Sequence, residues 1–528
     1  MIKVSFSQLG LSFVYTITFA SLYFVLFNLR LEPWAGAQRY WVNRELWGGP
    51  GYPIFVFIGG EWTESCHTLQ YGSMYMYQLA QEHNGLLVNV EHRFYGASFP
   101  TNDTSVESLQ YLTSDQALAD LARLLQDLMA ELETTDSKVV TIGGSYSGNL
   151  AAWFRLKYPS ITTGSIASSG PVTADINFEE YMEVVDNSIV YYSGENCNAA
   201  LQNAADELLL KNYSTLYNDF LTCQLIRGDD DMSILLSNLM GNIQGVVQYN
   251  NQSQPVNITG ICKIMLDPSR SPYENFAYLS REVFLNTSAP RHDADNGGCD
   301  DVNYDNTIDY LSNTSLAAAD GARQWTFQTC NQFGYYQTTD SANQPFHSWS
   351  LLNLEFYYEM CAAIFDGWSY DPQQNWTNTA YGATNIAATN IIFPTGSIDP
   401  WHVLGVVDTT VLPQSTEVPL LIEGTSHCAD LRWPSETDPQ SMKDARVQIS
   451  GFVSDTVLDP VTPTCDCDDD GDDDTNGISE TTIALATCLA LTGFVALALF
   501  ADKCCKLTPK REGLLDNEGM DNNYRSWK

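Results

Sequence analysis

The stretch that decides the fold is Val139-Val140-Thr141-Ile142-Gly143-Gly144-Ser145-Tyr146-Ser147-Gly148. Its β-branched start predicts a short strand, and the residues from Asn149 onward read as a helix. A serine at a sharp turn between a strand and a helix is the context of a nucleophile elbow, which needs small neighbours. Gly143 is such a neighbour, whereas Ser147 stands where the pattern G-x-S-x-G has glycine. A Gly/Ser loop without a catalytic role is the alternative interpretation.

Strand-like segments lie on both sides of this elbow, at 38–42, 52–58, 86–90, 164–172, 390–393 and 418–422. A strongly amphipathic helix, capped by Thr113 or Ser114, precedes the elbow strand and carries leucines at spacings of three and four. Alternating strands and helices of this kind predict an α/β fold, with a parallel sheet covered by helices on both faces.

Three chemically useful residues each follow a predicted strand directly. Ser145 follows the elbow strand, Asp399 follows the strand at 390–393, and His427 follows the strand at 418–422. Functional groups of open α/β sheets lie at the carboxyl ends of strands. The order Ser, Asp, His is typical of α/β-hydrolases. His402 is a competing base, but one turn could hardly present it and Asp399 to a serine from opposite sides.

The expected chemistry is that of a Ser-His-Asp triad. Ser145 is the nucleophile, His427 takes and returns its proton, and Asp399 fixes the histidine tautomer. Glu61 and Glu91 are alternative acids, although neither follows a strand late in the chain. The backbone N–H of Tyr146, with one from Gly60 or Glu61 in the Gly-Gly turn after the strand at 52–58, would hold the oxyanion. No metal ion or cofactor is expected.

The alternation of strands and helices stops from about 175 to 380, where the sequence is rich in Asn, Tyr and Cys and mostly helical in pattern. We interpret this region as an inserted cap domain, which includes an uncharged aromatic patch at 325–336. The predicted domains are a signal peptide or signal anchor at 1–37, the first part of an α/β-hydrolase core at 38–174, a helical cap at 175–385, the second part of the core at 386–460, an acidic linker at 461–481, a transmembrane helix at 482–501 and a cytosolic tail at 502–528.

Charge and cysteine usage indicate a compartment. The chain has 25 basic against 64 acidic residues, which argues against nucleic-acid binding through a basic surface. Ten of the 13 cysteines precede the predicted transmembrane helix, without metal-ligand spacing. On the same side lie seven candidate glycosylation sites: Asn102, Asn212, Asn251, Asn257, Asn286, Asn313 and Asn375. These features predict a secreted, disulfide-bonded ectodomain.

The apolar segment at 482–501 has about the length that a bilayer-spanning helix needs. Basic residues follow it, so the positive-inside rule orients the C-terminus to the cytosol. We therefore expect a single-pass protein with a lumenal or extracellular catalytic domain, in a lysosome, endosome, vacuole or cell-surface membrane. A homodimer is kept as a candidate assembly.

The chain from about Gln38 to Val457 resembles the lysosomal Pro-X carboxypeptidase family of serine peptidases. The motifs that carry the resemblance are Gly143-Gly144-Ser145-Tyr146, Asn149-Leu150-Ala151-Ala152-Trp153, Glu91-His92-Arg93-Phe94-Tyr95-Gly96, Asp399-Pro400-Trp401 and Glu423-Gly424 with His427. The resemblance implies an α/β-hydrolase core with a helical cap, hydrolysis of peptides on the carboxyl side of proline, and Ser145, Asp399 and His427 as catalytic residues. The segment at 325–338 is most similar to the thymus-specific branch of that family.

Three features depart from the family pattern: the segment before Gln38 lacks an Asp-His-Phe motif, Ser147 replaces a glycine or alanine, and the predicted membrane span is not typical of soluble lysosomal members. The leading hypothesis is a membrane-tethered serine exopeptidase acting on proline-containing peptides. The alternatives are a carboxylesterase or lipase with the same elbow, and a non-catalytic adhesion ectodomain. A non-catalytic ectodomain on this fold would ordinarily have lost a residue of the triad, whereas this chain keeps Ser145, Asp399 and His427.

Overall fold

The computed structural model describes residues 38–252, 254–285, 298–408 and 416–458. A seven-stranded sheet with the order β1-β3-β2-β4-β5-β8-β9 forms its centre, and β6 and β7 pair separately. The strands are β1 (Tyr40–Asn43), β2 (Ile54–Ile58), β3 (Leu86–Val90), β4 (Val139–Gly144), β5 (Gly164–Ser168), β6 (Asp175–Asn177), β7 (Gly334–Tyr336), β8 (Ile391–Gly396) and β9 (Glu417–Ile422).

The predicted parallel sheet is confirmed for six of the seven strands. Strand β1 is different, because it pairs with β3 in the antiparallel direction. Strand β1 lies at the edge of the sheet and comes before the first helical crossover. A parallel pair needs a crossover connection, whereas an antiparallel pair does not. Strands β2 to β5 are buried throughout, which explains why their sequences are nearly continuous apolar runs.

The helices are α1 (Tyr75–His83), α2 (Val106–Leu109), α3 (Ser114–Glu131), α4 (Tyr146–Lys157), α5 (Glu180–Ser193), α6 (Glu195–Leu208), α7 (Tyr213–Phe220), α8 (Asp229–Gln248), α9 (Ile258–Met265), α10 (Pro272–Tyr278), α11 (Tyr304–Ser312), α12 (Ala322–Gln328), α13 (Leu354–Ile364), α14 (Gln374–Tyr381) and α15 (Gln440–Gly451). Thr113 caps α3, as the sequence predicts, by accepting a hydrogen bond from the backbone N–H of Gln116.

Helices cover both faces of the sheet, so the predicted α/β core is confirmed. On one face, Val56 of β2 belongs to the same buried cluster as Leu121 and Leu125 of α3. On the other, Phe55 belongs to a cluster with Leu79 of α1 and with residues of α15. Because successive side chains of a strand point to opposite faces, neighbouring residues of β2 pack into different cores.

The chain between β5 and β8 contains ten of these helices and the small parallel pair β6–β7. Three disulfides join cysteines within this stretch: Cys197–Cys262, Cys223–Cys299 and Cys330–Cys361. The predicted disulfide-bonded character is therefore confirmed. The closed loops are long, and closing long loops restricts the unfolded chain most.

No helix within residues 38–252, 254–285, 298–408 and 416–458 is long and apolar enough to cross a bilayer. The signal segment at 1–37, the linker at 461–481, the transmembrane helix at 482–501 and the tail at 502–528 are predictions that lie outside the described residues. Asn286 also lies outside them. The other six predicted glycosylation sites are solvent-exposed, which glycosylation requires, and their modification stays a prediction.

Candidate active site

The turn between β4 and α4 has the geometry of a nucleophile elbow. Ser145 adopts a φ of +59°, a value that non-glycine residues rarely take. Its backbone N–H donates to the carbonyl oxygen of Ser168 at the end of β5, at 3.0 Å. A Cβ on Gly143 would lie 1.9 Å from the carbonyl oxygen of Ser147, so glycine is required before the serine.

Ser147, which departs from the G-x-S-x-G pattern, is accommodated by hydrogen bonds. Its hydroxyl accepts from the backbone N–H of Gly144 at 2.8 Å and donates to the carbonyl oxygen of the same residue at 2.9 Å. The side chain is fully buried. A glycine here would leave both backbone groups without this partner. Ser147 therefore stabilises the backbone of this elbow through its side-chain hydrogen bonds.

Asp399 and His427 meet after the ends of β8 and β9. His427 Nδ1 lies 2.8 Å from Oδ2 of Asp399, and both side chains are buried, with exposures of 3% and 0%. The other carboxylate oxygen, Oδ1, accepts from the backbone N–H of Trp401 at 3.0 Å. That bond caps the short 3₁₀ turn Pro400–Leu404 and fixes the carboxylate so that Oδ2 faces the imidazole.

The segment that contains His427 contacts the elbow through residues next to His427 and Ser145. A Cβ on Gly144 would lie 2.9 Å from the Sγ of Cys428, so the residue before Ser145 contacts the residue after His427. The end of β5 holds both segments. Besides accepting from Ser145, Ser168 donates through its hydroxyl to Asp430 at 2.6 Å, and the Ser169 hydroxyl accepts from the backbone N–H of Cys428 at 2.9 Å.

The state of His427 follows from its surroundings. Burial disfavours its charged form, but the interactions with Asp399 and Cys428 together outweigh this and raise the pKa of His427 well above its ordinary value. Its Nε2 is buried and bonds no described nitrogen or oxygen atom. With Nδ1 held by the carboxylate, Nε2 is the ring nitrogen left to exchange a proton with a substrate or a nucleophile.

The predicted oxyanion turn lies beside the elbow. A Cβ on Gly60 would lie 3.4 Å from the Cβ of Ser147, while the backbone N–H of Gly59 is already bound to Val90. Tyr146 is the first residue of α4, and Ser145 gives that helix no side-chain cap. The N–H groups of the first turn of a helix lack intrahelical partners and favour negative charge. Gly60 therefore lies against Ser147, the residue that follows Tyr146 in the first turn of α4.

The alternative residues have other roles. His402 lies on the 3₁₀ turn, and its Nδ1 is 2.7 Å from the carbonyl oxygen of Asp399 rather than from its carboxylate. Glu91 forms an ion pair with Arg39 and accepts from Ser98 at 2.6 Å, so it serves the structure near β1. Within the described ranges, no three His, Cys, Asp or Glu side chains come together as a metal site.

Aromatic side chains from the inserted region cover the site. Tyr146 contacts Trp325 and Phe333, with ring centroids 5.7 and 5.4 Å apart. The predicted aromatic patch therefore lies over the elbow. The Tyr146 hydroxyl is 3.1 Å from Nε2 of His92 and accepts from Gln328 at 3.0 Å. Burial lowers the pKa of His92 to about 4, so this ring is neutral at physiological pH.

Two residues that sequence reasoning missed hold the histidine from the inserted region. The backbone N–H of His427 donates to the carbonyl oxygen of Gln248 at 3.0 Å, and Gln252 donates to the carbonyl oxygen of His427 at 2.9 Å. The Gln248 side chain accepts from Trp401 at 3.1 Å and from Tyr181 at 2.6 Å. A glutamine in a helical stretch carries no sequence signal for such a role.

Comparison with known proteins agrees with this geometry. The chain is 33% identical over 440 residues to the thymus-specific serine protease of Mus musculus, covering 80% of this chain and 84% of the relative. It is 29% identical over 433 residues to the lysosomal Pro-X carboxypeptidase of Homo sapiens, covering 78% and 82%. The profile of serine carboxypeptidase S28 matches residues 34–449. These matches identify a serine-type peptidase, and the chain belongs to the serine carboxypeptidase S28 family.

Proposed function

We propose that this chain is a serine exopeptidase that cleaves short peptides on the carboxyl side of proline, with Ser145, His427 and Asp399 as its catalytic triad. The observation that carries the proposal is the buried contact of 2.8 Å between His427 Nδ1 and Asp399 Oδ2, next to the elbow that bears Ser145. A serine hydroxyl is a weak nucleophile by itself, so it needs a base oriented in this way.

In the proposed reaction, Ser145 Oγ attacks the carbonyl carbon of the proline residue while its proton passes to Nε2 of His427. The carbonyl oxygen gains the negative charge, which the N–H groups of Tyr146 and Gly60 stabilise by roughly 3 kcal/mol per donor. His427 then gives the proton to the leaving amine, and the carbon–nitrogen bond breaks. Water, activated by the same histidine, hydrolyses the acyl-enzyme and restores Ser145.

A preference for proline is supported by the aromatic surroundings of His427. The ring of Trp401 lies 6.5 Å from that of His427 and 5.3 and 5.4 Å from the rings of Tyr335 and Phe178. Proline is compact and apolar and has no N–H to satisfy, so aromatic walls suit it. The relative named lysosomal Pro-X carboxypeptidase supports the same substrate class.

An exopeptidase is supported by the position of the inserted region. Its helix α8 contacts the backbone of His427, and Trp325 covers Tyr146. A site roofed in this way admits the end of a peptide more readily than the middle of a folded chain. We further propose that the segment at 482–501 anchors the enzyme, with its catalytic domain on the lumenal or extracellular side. A protein that carbonate washing releases from membranes would contradict that anchor.

The test compares the full-length protein and its Ser145→Ala variant on an amino-blocked peptide ending in Pro-Phe, on the matching Ala-Phe peptide, and on a simple aryl ester. Cleavage after proline that requires Ser145 supports the proposal. Ester hydrolysis without peptide cleavage would indicate a carboxylesterase. Failure of a folded wild-type protein to react with a fluorophosphonate probe would indicate a non-catalytic ectodomain.

A further inference from the structure

Glu61 is a carboxyl group of the site that the proposed reaction leaves unused. It ends the turn that follows β2, one residue after Gly60, which lies against Ser147 of the elbow. Its Oε2 is buried and has no hydrogen-bond partner among the described residues. The neighbouring carboxyl of Glu64 accepts from the side chain of Asn89 at 2.8 Å through Oε2, while its Oε1 is likewise buried without a hydrogen-bond partner among the described residues. A buried polar group without a partner is costly, and such an atom points to a ligand.

Glu61 directly follows Gly60, which is the proposed oxyanion donor of this turn. Its charge interacts with that of His427, the residue that returns a proton to the leaving nitrogen. When the leaving group is a single C-terminal residue, its α-carboxylate is only two bonds from that nitrogen. A carboxyl beside both the oxyanion turn and the base is therefore within reach of a terminal carboxylate.

Glu61 can exist as a neutral acid at mildly acidic pH. Burial raises its pKa to about 7, while its own backbone N–H and the charge of His427 act in the opposite direction. The ionisable groups around it are His427, Glu64, Tyr95, Tyr146 and Tyr249. Below pH 7 the acid can donate a hydrogen bond to a carboxylate, and above pH 7 its own charge repels one.

We infer that Glu61, as a carboxylic acid, binds the α-carboxylate of the substrate's C-terminal residue, so that the enzyme releases single residues from the carboxyl end. This inference rests on the proposed function and decides which peptide end is processed. Two arginines that could otherwise bind a carboxylate are engaged with acidic side chains of the chain itself. Arg39 is paired with Glu91 and Arg93 with Asp120, so within the described chain these cations already have acidic partners.

The test uses full-length protein and two amino-blocked peptides that both end in Pro-Phe, one with a free carboxylate and one with a carboxamide. We expect the carboxylate to be preferred by about 10- to 100-fold in kcat/KM at pH 5.5, as for hydrogen bonds to charged groups. The preference should fall as the pH rises through 7, because Glu61 loses its proton. Taking the ratio of the two substrates at each pH cancels the titration of His427.

Variants separate this role from a structural one. Glu61→Gln keeps an N–H donor, so it should retain the preference and lose its dependence on pH, whereas Glu61→Ala should lose both. Glu131→Gln, at an exposed position on α3, is the control and should behave as wild type. Fluorophosphonate labelling of Ser145 in each variant checks that the site is assembled.

Equal cleavage of both peptides by the wild type would overturn this inference and leave the proposed function standing. A requirement for a free amino terminus, with kcat/KM rising through pH 7, would also overturn it, since an ionised Glu61 would then bind an ammonium group. Cleavage of neither peptide would overturn the inference, and failure to cleave the matching Pro-Phe peptide with a free amino terminus as well would overturn the proposed function.

Discussion

His427 donates its backbone N–H to the carbonyl oxygen of Gln248, the last residue of α8, at 3.0 Å. The histidine belongs to the sheet, because it follows β9, whereas the glutamine belongs to the inserted region. The inserted region therefore positions His427 and also packs against Tyr146 of the elbow. Gln252 adds to this contact, since its side chain donates to the Ser426 hydroxyl and the His427 carbonyl oxygen, both at 2.9 Å.

We predict that Gln252→Ala lowers kcat by about tenfold with little change in KM, because the histidine segment loses two hydrogen bonds and a small displacement of a base is costly. Steady-state kinetics on a Pro-Phe peptide would measure this. Gln202→Ala is the control, since Gln202 also lies in the inserted region and its side chain bonds the exposed ring of His347 at 2.8 Å. Equal losses in both variants would contradict a positioning role.

Asp399→Asn should retain the fold and lose most of the activity. The amide keeps the volume of the carboxylate and can still accept from the backbone N–H of Trp401. It no longer stabilises the imidazolium or fixes the proton on Nδ1, and comparable replacements lower kcat by about 10⁴-fold. The measurement is kcat together with the thermal unfolding midpoint. Asp127→Asn, at an exposed ion pair with Arg123, should change neither.

Ser147→Ala is expected to destabilise the protein. It removes the hydroxyl that bonds both backbone groups of Gly144 at a fully buried site, which should lower the free energy of unfolding by about 1–3 kcal/mol. Urea unfolding would measure the change. Ser441→Ala is the comparison, because Ser441 makes an exposed bond to the carbonyl oxygen of Glu423 and its loss should cost little. A neutral Ser147→Ala would show that the elbow does not depend on this serine.

The activity on uncharged substrates should rise with pH. His427 acts as a base only when it is unprotonated, and its pKa is raised by Asp399, so kcat for an amino-blocked carboxamide should increase as the solution becomes more basic. For a substrate with a free carboxylate, KM should also increase as the pH rises through 7, because Glu61 ionises and then repels that carboxylate. The resulting kcat/KM profile is bell-shaped for the carboxylate and rising for the carboxamide. Identical pH profiles of kcat/KM for the two substrates would contradict the binding of the substrate carboxylate by Glu61.

Stability should fall as pH rises from about 4.5 to 7. Burial raises the pKa of Glu61 and Glu64 from 4.5 to about 7 and that of Asp430 from 3.8 to about 6. At these three carboxyls the folded chain binds more protons than the unfolded chain over this window, and they outnumber His92, whose lowered pKa of about 4 acts in the opposite direction. Each of these carboxyls lowers the free energy of unfolding by at most about 1.4 kcal/mol for each pH unit between its unfolded-state and its folded-state pKa. Thermal unfolding between pH 4.5 and 8 checks the sign, and Glu64→Gln should flatten the slope.

Local patterns predicted the elbow and most of the sheet. The strands around β4 are buried on both faces, so their apolar runs are visible without knowledge of their partners. The contact between Asp399 and His427 was also foreseeable, because the carboxyl ends of parallel strands share one edge of the sheet.

The direction of β1 was not foreseeable, since a short edge strand can pair either way. The roles of Gln248 and Gln252 were equally hidden. They depend on where α8 ends relative to a segment some 175 residues later in the chain. The spacing of residues within a helix does not predict a contact between segments so far apart in the chain. Helix propensity likewise does not predict which loop lies at the end of a helix. The hydrogen bonds of Ser147 were missed because the pattern treats its position as a place for a small residue only.

The end of β5 has a mechanical consequence. Ser168 holds the backbone of Ser145, and Ser168 and Ser169 together hold the segment that follows His427. Thermal motion or strain that displaces this strand end therefore carries Ser145 and His427 along together. The separation between these two residues should fluctuate less than the absolute position of either, and warming should loosen the inserted region before it changes the distance between them.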